Sequence, residues 1–268
     1  MNFRKVKVYN QIIKTGIIRS LAYKFEVYSN ILMQTIIMIA SAYFWKALFK
    51  NADVVQGVTV NTMLVYTVVS SMISIVLSSD VEWRIMRSVN KGTIAIDMMR
   101  PINVFSIFFA EDIAKLISLF FQNLLPVFII GSLIIGIPKP ASFAAFILFL
   151  VSLIMAYFIN WFIAVMFGMI SFWAFEMSAI FQVKKHLIRL LSGSIIPIWF
   201  FPNWLQNVLN ALPFAYLYQL PLDIYIGKAT DTDIVRGMLV QLTWLAIVVV
   251  MFLCFERRVI KKVMVQGG

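Results

Sequence analysis

Residues 104–137 read VFSIFFAEDIAKLISLFFQNLLPVFIIGSLIIGI and residues 141–175 read ASFAAFILFLVSLIMAYFINWFIAVMFGMISFWAF, with only Pro138-Lys139-Pro140 between them. Each apolar run is about 34 residues, or about 50 Å of helix at 1.5 Å per residue. The hydrocarbon core of a bilayer needs only about 20. Both runs therefore cross a membrane with length to spare. Glu111, Asp112 and Lys115 crowd the start of the first run. Charges avoid the bilayer interior, so the lipid-embedded part of that run begins near Leu116. Gly136-Ile137-Pro138-Lys139-Pro140 is the tight turn joining the two helices.

The rest of the chain follows the same pattern. It is 62% hydrophobic and 13% charged over 268 residues. A soluble domain carries about a quarter charged residues, so the apolar excess must face lipid. Further spans are expected over Tyr28–Phe49, Val58–Ser78 and Arg236–Phe255. A shorter one is expected over Leu187–Phe201, with Pro197 and Pro202 at its end. The expected fold class is all-α integral membrane, with six transmembrane helices in a single transmembrane domain over residues 1–268. No internal repeat is visible, so the inverted-repeat carriers gain no direct support. The first residues stay polar and basic through Arg19, and no cleavage site marks a signal peptide.

Basic residues set the orientation. One alternating set of segments carries 17 of the 23 Lys and Arg: the stretch before the first span, residues 79–103, residues 184–189 and the C-terminus. The opposite set carries 5: Lys46, Lys50, Lys139, Lys228 and Arg236. Both termini and the basic loops are therefore expected to be cytoplasmic. This placement also accounts for the net charge of +11, which is read as topology and attraction to anionic lipid rather than nucleic-acid binding.

Four segments outside the spans carry the functional reading. Residues 1–27 place Ile13, Ile17 and Leu21 on one face, with Lys5, Lys14 and Lys24 elsewhere, the pattern of an interfacial amphipathic helix. Residues 79–103 form the cytoplasmic loop between spans two and three. There Ser79 and Glu82 have capping-box spacing, and Asp80 with Arg84 makes an i, i+4 pair. Val81, Ile85 and Val89 line up as one apolar stripe, with Trp83 and Met86 beside it, and Gly92 stops the helix. Such a helix suits either docking a partner or resting on lipid. Residues 176–189 read as a basic loop. Residues 202–233 are apolar but interrupted by Pro202, Pro213, Pro221 and Gly227, which fits re-entrant helices on the outer side. Pro197, Trp199, Pro202, Trp204, Pro213 and Phe214 mark this expected exit region, where an aromatic belt is the plainer alternative.

Several chemistries find no support. The sequence has no GxxxxGK[ST] loop and no HExxH motif. His186 is the only histidine and Cys254 the only cysteine, so neither a metal set nor a disulfide is expected. Few ionisable residues fall deep in the spans, which weakens an ion-driven carrier or channel. Glu111 and Lys115 are expected to pair at i, i+4. An intramembrane enzyme lacks a visible acid–base set.

The segments Glu82-Trp-Arg-Ile-Met-Arg87, Lys91-Gly-Thr-Ile94, Met99-Arg-Pro-Ile102 and Leu191-Ser-Gly193 through Pro197-Ile-Trp-Phe-Phe-Pro202 to Leu212-Pro-Phe214, Pro221 and Gly227 resemble the membrane subunits of ABC-2-type exporters. The resemblance covers nearly the whole chain. It implies six spans, an N-terminal interfacial helix and re-entrant helices before the last span. It implies a homo- or heterodimeric permease in the bacterial plasma membrane, driven by a separate ABC ATPase. ATP would be used by that partner, and no cofactor would be bound by this chain. It also implies that Asp80, Val81, Glu82, Arg84, Ile85, Arg87, Val89 and Lys91 form the helix against which the ATPase docks.

Overall fold

The computed structural model describes residues 3–22, 24–51, 53–99 and 102–266. Arg100 and Pro101 lie outside the described residues. The chain forms α1 (Phe3–Leu21), α2 (Lys24–Leu48), a short antiparallel pair β1 (Val54–Val55) and β2 (Val58–Thr59), and α3 (Val60–Val76). Then come α4 (Val81–Asn90), α5 (Thr93–Met98), α6 (Val104–Leu119), a π-turn (Phe120–Leu124) and α7 (Leu125–Ile135). The last elements are α8 (Phe143–Ile170), α9 (Ser178–Leu191), α10 (Asn203–Ala211), α11 (Ala215–Ile226) and α12 (Asp231–Gln266). It is an all-α membrane architecture. Among the described residues, five helical stretches are long and apolar enough to cross a bilayer: Lys24–Leu48, Val60–Asn90, Val104–Ile135, Phe143–Ile170 and Asp231–Lys262.

Local chemistry explains the helix ends. Thr59, Asn103 and Ser142 each accept backbone N–H bonds at a helix start, from Thr62, from Phe105 and Ser106, and from Ala145 respectively. Gly136 closes α7 at φ +105°, a conformation that a side chain would strain. Gln56 and Gly57 form the tight turn of the β pair, both at positive φ.

The fifth expected span differs. No single helix covers residues 187–201. Helix α9 is 14 residues, about 21 Å, and residues 192–197 that follow are not helical. The path still runs the length of α3. Lys184 of α9 meets Glu82, just past the end of α3, while the Gly193 and Ser194 carbonyls accept from Tyr66 and Ser70 within it. Trp199 then packs edge-on against Tyr66. The basic stretch expected as a loop is thus helix α9. The expected breaks at Pro202, Pro213 and Gly227 bound α10 and α11, but Pro221 lies inside α11 rather than ending it.

The core centres on α8, which packs against α4, α11 and α12. Gln241 of α12 is fully buried with its amide satisfied. It donates to the Ser152 and Tyr216 carbonyls at 2.9 Å and accepts from the Ser152 hydroxyl at 3.0 Å. Polar side chains satisfied by one another in this way link helices where lipid offers no partner.

Helix α1 runs parallel to α6. Gly16 faces Ala114 and, one turn on, Ser20 donates to Ser118 at 2.7 Å. Small residues four apart on both helices let the backbones approach closely. Of the expected apolar stripe on α1, Ile13 and Ile17 are half-buried, while Leu21 is exposed. A Cβ at Gly16 would lie 2.6 Å from that of Ala114. Gly16→Ala should therefore cost about 1–3 kcal/mol of stability, read as a lower melting temperature, and Gly16→Ala with Ala114→Gly should recover most of it. An unchanged melting temperature in the single variant would contradict this packing.

Candidate coupling site

Helix α4 is built from a 10-residue amphipathic segment whose apolar side packs into the molecule. Val81 and Ile85 are 0% exposed and Met86 is 6% exposed. Gly168 of α8 provides the seat: a Cβ there would lie 2.9 Å from the Glu82 backbone and from Ile85 Cδ1. Trp83 stacks edge-on against Phe181 of α9 with ring centroids 5.3 Å apart. Asn90 donates to the Phe175 carbonyl at 3.0 Å, tying the end of α4 to the connection between α8 and α9. Gly92, at φ +69°, then turns the chain into α5.

Ion pairs hold the polar side, and they are not the local pairs that sequence spacing implies. Arg84 bonds Asp112 at 2.5 Å and Glu111 at 3.4 Å. Asp80 pairs with Lys115. Glu82 pairs with Lys184 at 2.6 Å, both side chains less than a tenth exposed. The expected Asp80–Arg84 and Glu111–Lys115 pairs are thus replaced by crossed pairs between α4 and α6. The expected capping box is replaced as well. Ser79 Oγ accepts from the Val81 N–H at 3.3 Å and donates to Asp112 at 2.9 Å, while Glu82 turns to α9. Asp80 stands at the N-cap but makes no cap bond with its side chain.

The reason is Asp112. It is 2% exposed, and a buried carboxylate needs charge and hydrogen bonds together. It takes Ser79, Arg84 and, through its other oxygen, the Tyr157 hydroxyl at 2.9 Å. This one side chain therefore joins the end of α3, α4, α6 and α8. Sequence reasoning placed Asp112 among charges near a helix end and did not find Tyr157. An acid next to Glu111 in an otherwise apolar helix was the available signal.

The burial changes the meaning of the expected docking residues. Val81, Glu82 and Ile85 are buried and Val89 is half-buried, so they anchor α4 rather than offer a contact surface. Arg84 is committed to Asp112. Asp80, Arg87 and Lys91 remain exposed.

At the other end of the molecule, α10 and α11 form a helical hairpin. The expected exit residues divide here. Pro197 and Pro213 are buried, Trp199 and Phe214 are half-buried, and Pro202 and Trp204 are exposed. The non-helical stretch 192–197 is held by a hub that sequence reasoning missed. Tyr66 Oη donates to the Gly193 carbonyl at 2.5 Å. Gln219 Oε1 accepts from the Ile198 N–H at 2.8 Å and from Tyr66 at 3.2 Å. The Gln219 amide nitrogen donates to Asp223 at 2.8 and 2.9 Å. Lys228 lies over the Trp199 ring at 4.7 Å and donates to the Gln56 carbonyl at 2.9 Å, closing this end onto the β turn.

A family model described as ABC-2 family transporter protein matches residues 12–267. The chain belongs to the ABC-2 transporter family. A search among curated proteins finds no matching relative. As an ABC-2 permease, the chain is the membrane component of an ABC-type transporter and not itself the ATPase. Membership in the ABC-2 family implies association with an ABC ATPase component. The multi-pass membrane fold agrees with it.

Two measurements test the geometry of this ABC-2 permease. Removing one partner of a buried ion pair costs about 3–5 kcal/mol because the other charge is stranded. Arg84→Met and Asp112→Leu should each lower the melting temperature strongly, and the double variant should lose clearly less than their sum. Additive losses would show that the pair is not coupled. Gln219→Leu strands the Ile198 N–H and should cost about 1–3 kcal/mol, again read by thermal unfolding. An unchanged melting temperature would remove Gln219 from the hub.

Proposed function

We propose that this chain is the permease subunit of an ATP-driven exporter in a bacterial plasma membrane, with both termini and α4 on the cytoplasmic side. A separate ABC ATPase docks against α4, and a second permease subunit, identical or related, completes the translocation route. The observation that carries this reading is the mounting of α4. Its buried face is seated on α8, its ion pairs reach α6 and α9, and Arg87 and Lys91 remain exposed. A partner pressing on α4 therefore moves several membrane helices at once. The excess of Lys and Arg beside α4 and the termini supports the orientation.

The contact itself falls to Arg87 and Lys91, with Asp80 at the other end of the helix. The buried Val81, Glu82, Ile85 and Val89 and the paired Arg84 transmit the movement. Helices α10 and α11, with Pro197, Trp199, Pro202, Trp204, Pro213 and Phe214, form a re-entrant region on the outer side and shape the exit. ATP is consumed by the partner. The substrate is an amphipathic or hydrophobic molecule, a reading supported by the apolar span surfaces.

Reconstitution of the chain with its ATPase tests this directly. Transport should require ATP and the ATPase. Arg87→Glu with Lys91→Glu should reduce stimulation of ATP hydrolysis about ten-fold or more, the effect of placing like charges across an interface, without lowering the melting temperature of the permease alone. ATP-independent transport by the permease alone would overturn the reading.

A further inference from the structure

A cleft of about 940 Å³ opens between α1, the first turns of α2, α4 and α6. Its charges do not balance. Arg84 is shared between Asp112 and Glu111, and Lys115 pairs with Asp80. Arg19, Arg87 and Lys91 also face the cleft and form no ion pair among the described residues, against the single remaining acid Glu26. The cleft therefore carries surplus positive charge.

A second observation is independent of charge. Asn123 lines the same cleft, is 2% exposed, and its side-chain carbonyl has no partner. Buried amides are nearly always satisfied, so this orphan carbonyl calls for a polar group that the chain itself does not supply. Asn123 belongs to the π-turn Phe120–Leu124, an irregularity that often accompanies functional sites in long helices. A third observation concerns what surrounds the opening. Where α1 gives way to α2, Leu21, Phe25, Tyr28 and Leu32 are 55–86% exposed, an apolar surface suited to acyl chains.

We propose that this cleft binds the headgroup of an anionic phospholipid. The phosphate sits among Arg19, Arg87 and Lys91. The Asn123 side chain lies on the acyl side of the phosphate, toward the glycerol backbone of the lipid, and the acyl chains lie along the exposed face of α2. A bound lipid bridges α1 and α4 across the cleft. The site is a property of this chain alone and does not depend on the docking of an ATPase.

The test uses the purified full-length chain in detergent with no ATPase present. Binding of dioleoylphosphatidylglycerol, dioleoylphosphatidylcholine and inorganic phosphate is compared by native mass spectrometry and by the shift in melting temperature. Phosphatidylglycerol should bind about ten-fold or more tightly than phosphatidylcholine, as expected for two or more basic contacts, and the difference should shrink in high salt. Arg19→Gln, a change on α1 outside the residues assigned to ATPase contact, should weaken phosphatidylglycerol binding about five-fold. Asn123→Leu should remove most of the lipid-dependent stabilisation while the lipid-free protein melts no lower than wild type, because an unsatisfied buried group has gone. Equal binding of the two lipids overturns the proposal, as does phosphatidylglycerol binding unchanged in Arg19→Gln. Displacement of the lipid by an equal concentration of inorganic phosphate would assign the cleft to a soluble phosphate compound and overturn the lipid assignment.

Discussion

Burying the carboxylate of Asp112 is the constraint on which the architecture around α4 depends. Taking a charge out of water costs several kcal/mol even after relaxation, and the fold offsets that cost by gathering Arg84, Ser79 and Tyr157 around it. Those partners come from α4, from the end of α3 and from α8, so satisfying one side chain fixes the relative position of four elements. The remaining contacts build on this arrangement. Ile85 settles against Gly168, Glu82 reaches Lys184, and Asp80 takes Lys115. The result is a short helix tied to α6, α8 and α9 by ion pairs and close packing, a mounting that suits the proposed docking of an external motor.

The opposite end answers a different requirement. Non-helical backbone at membrane depth survives only where protein covers it and pairs its polar groups. Residues 192–197 interrupt the path that a conventional fifth span would take. Tyr66, Ser70 and Gln219 supply the missing partners. Gly193, at φ +84°, brings its carbonyl against Tyr66 where a side chain would collide with Gln219. The hairpin of α10 and α11 is thereby tied to α3 by polar side chains, in addition to the apolar packing of α11 against α8.

Much of this was legible in the sequence, and the residues explain where legibility ended. The long spans follow from runs of apolar residues, and the turns at Gly136 and Gly92 follow from backbone chemistry local to each position. Helix α4 was also legible, because amphipathic spacing and a glycine stop are short-range signals. Its partners were not. The spacing rules that pair Asp80 with Arg84 and Glu111 with Lys115 describe an isolated helix, and a buried Asp112 on a neighbouring helix outcompetes them. The fifth span departs from the expected single helix because hydropathy does not distinguish helix from irregular backbone, and residues 192–197 are not helical. Gln219 and Tyr66 carry no local signal, since their roles depend on backbone brought from more than 20 residues and more than 120 residues away respectively.

The proposal that force from an ATPase enters through the exposed face of α4 draws on membership in the ABC-2 family and on the mounting of this helix. Site-specific cross-linking tests it most directly. In a Cys254→Ser background, cysteines introduced by Arg87→Cys and Lys91→Cys should cross-link to the ATPase in membranes, whereas Gln56→Cys, at the tip of the β turn on the opposite end, should not. Cross-linking from position 56, or its absence from both positions on α4 in a complex that still transports, would contradict the account.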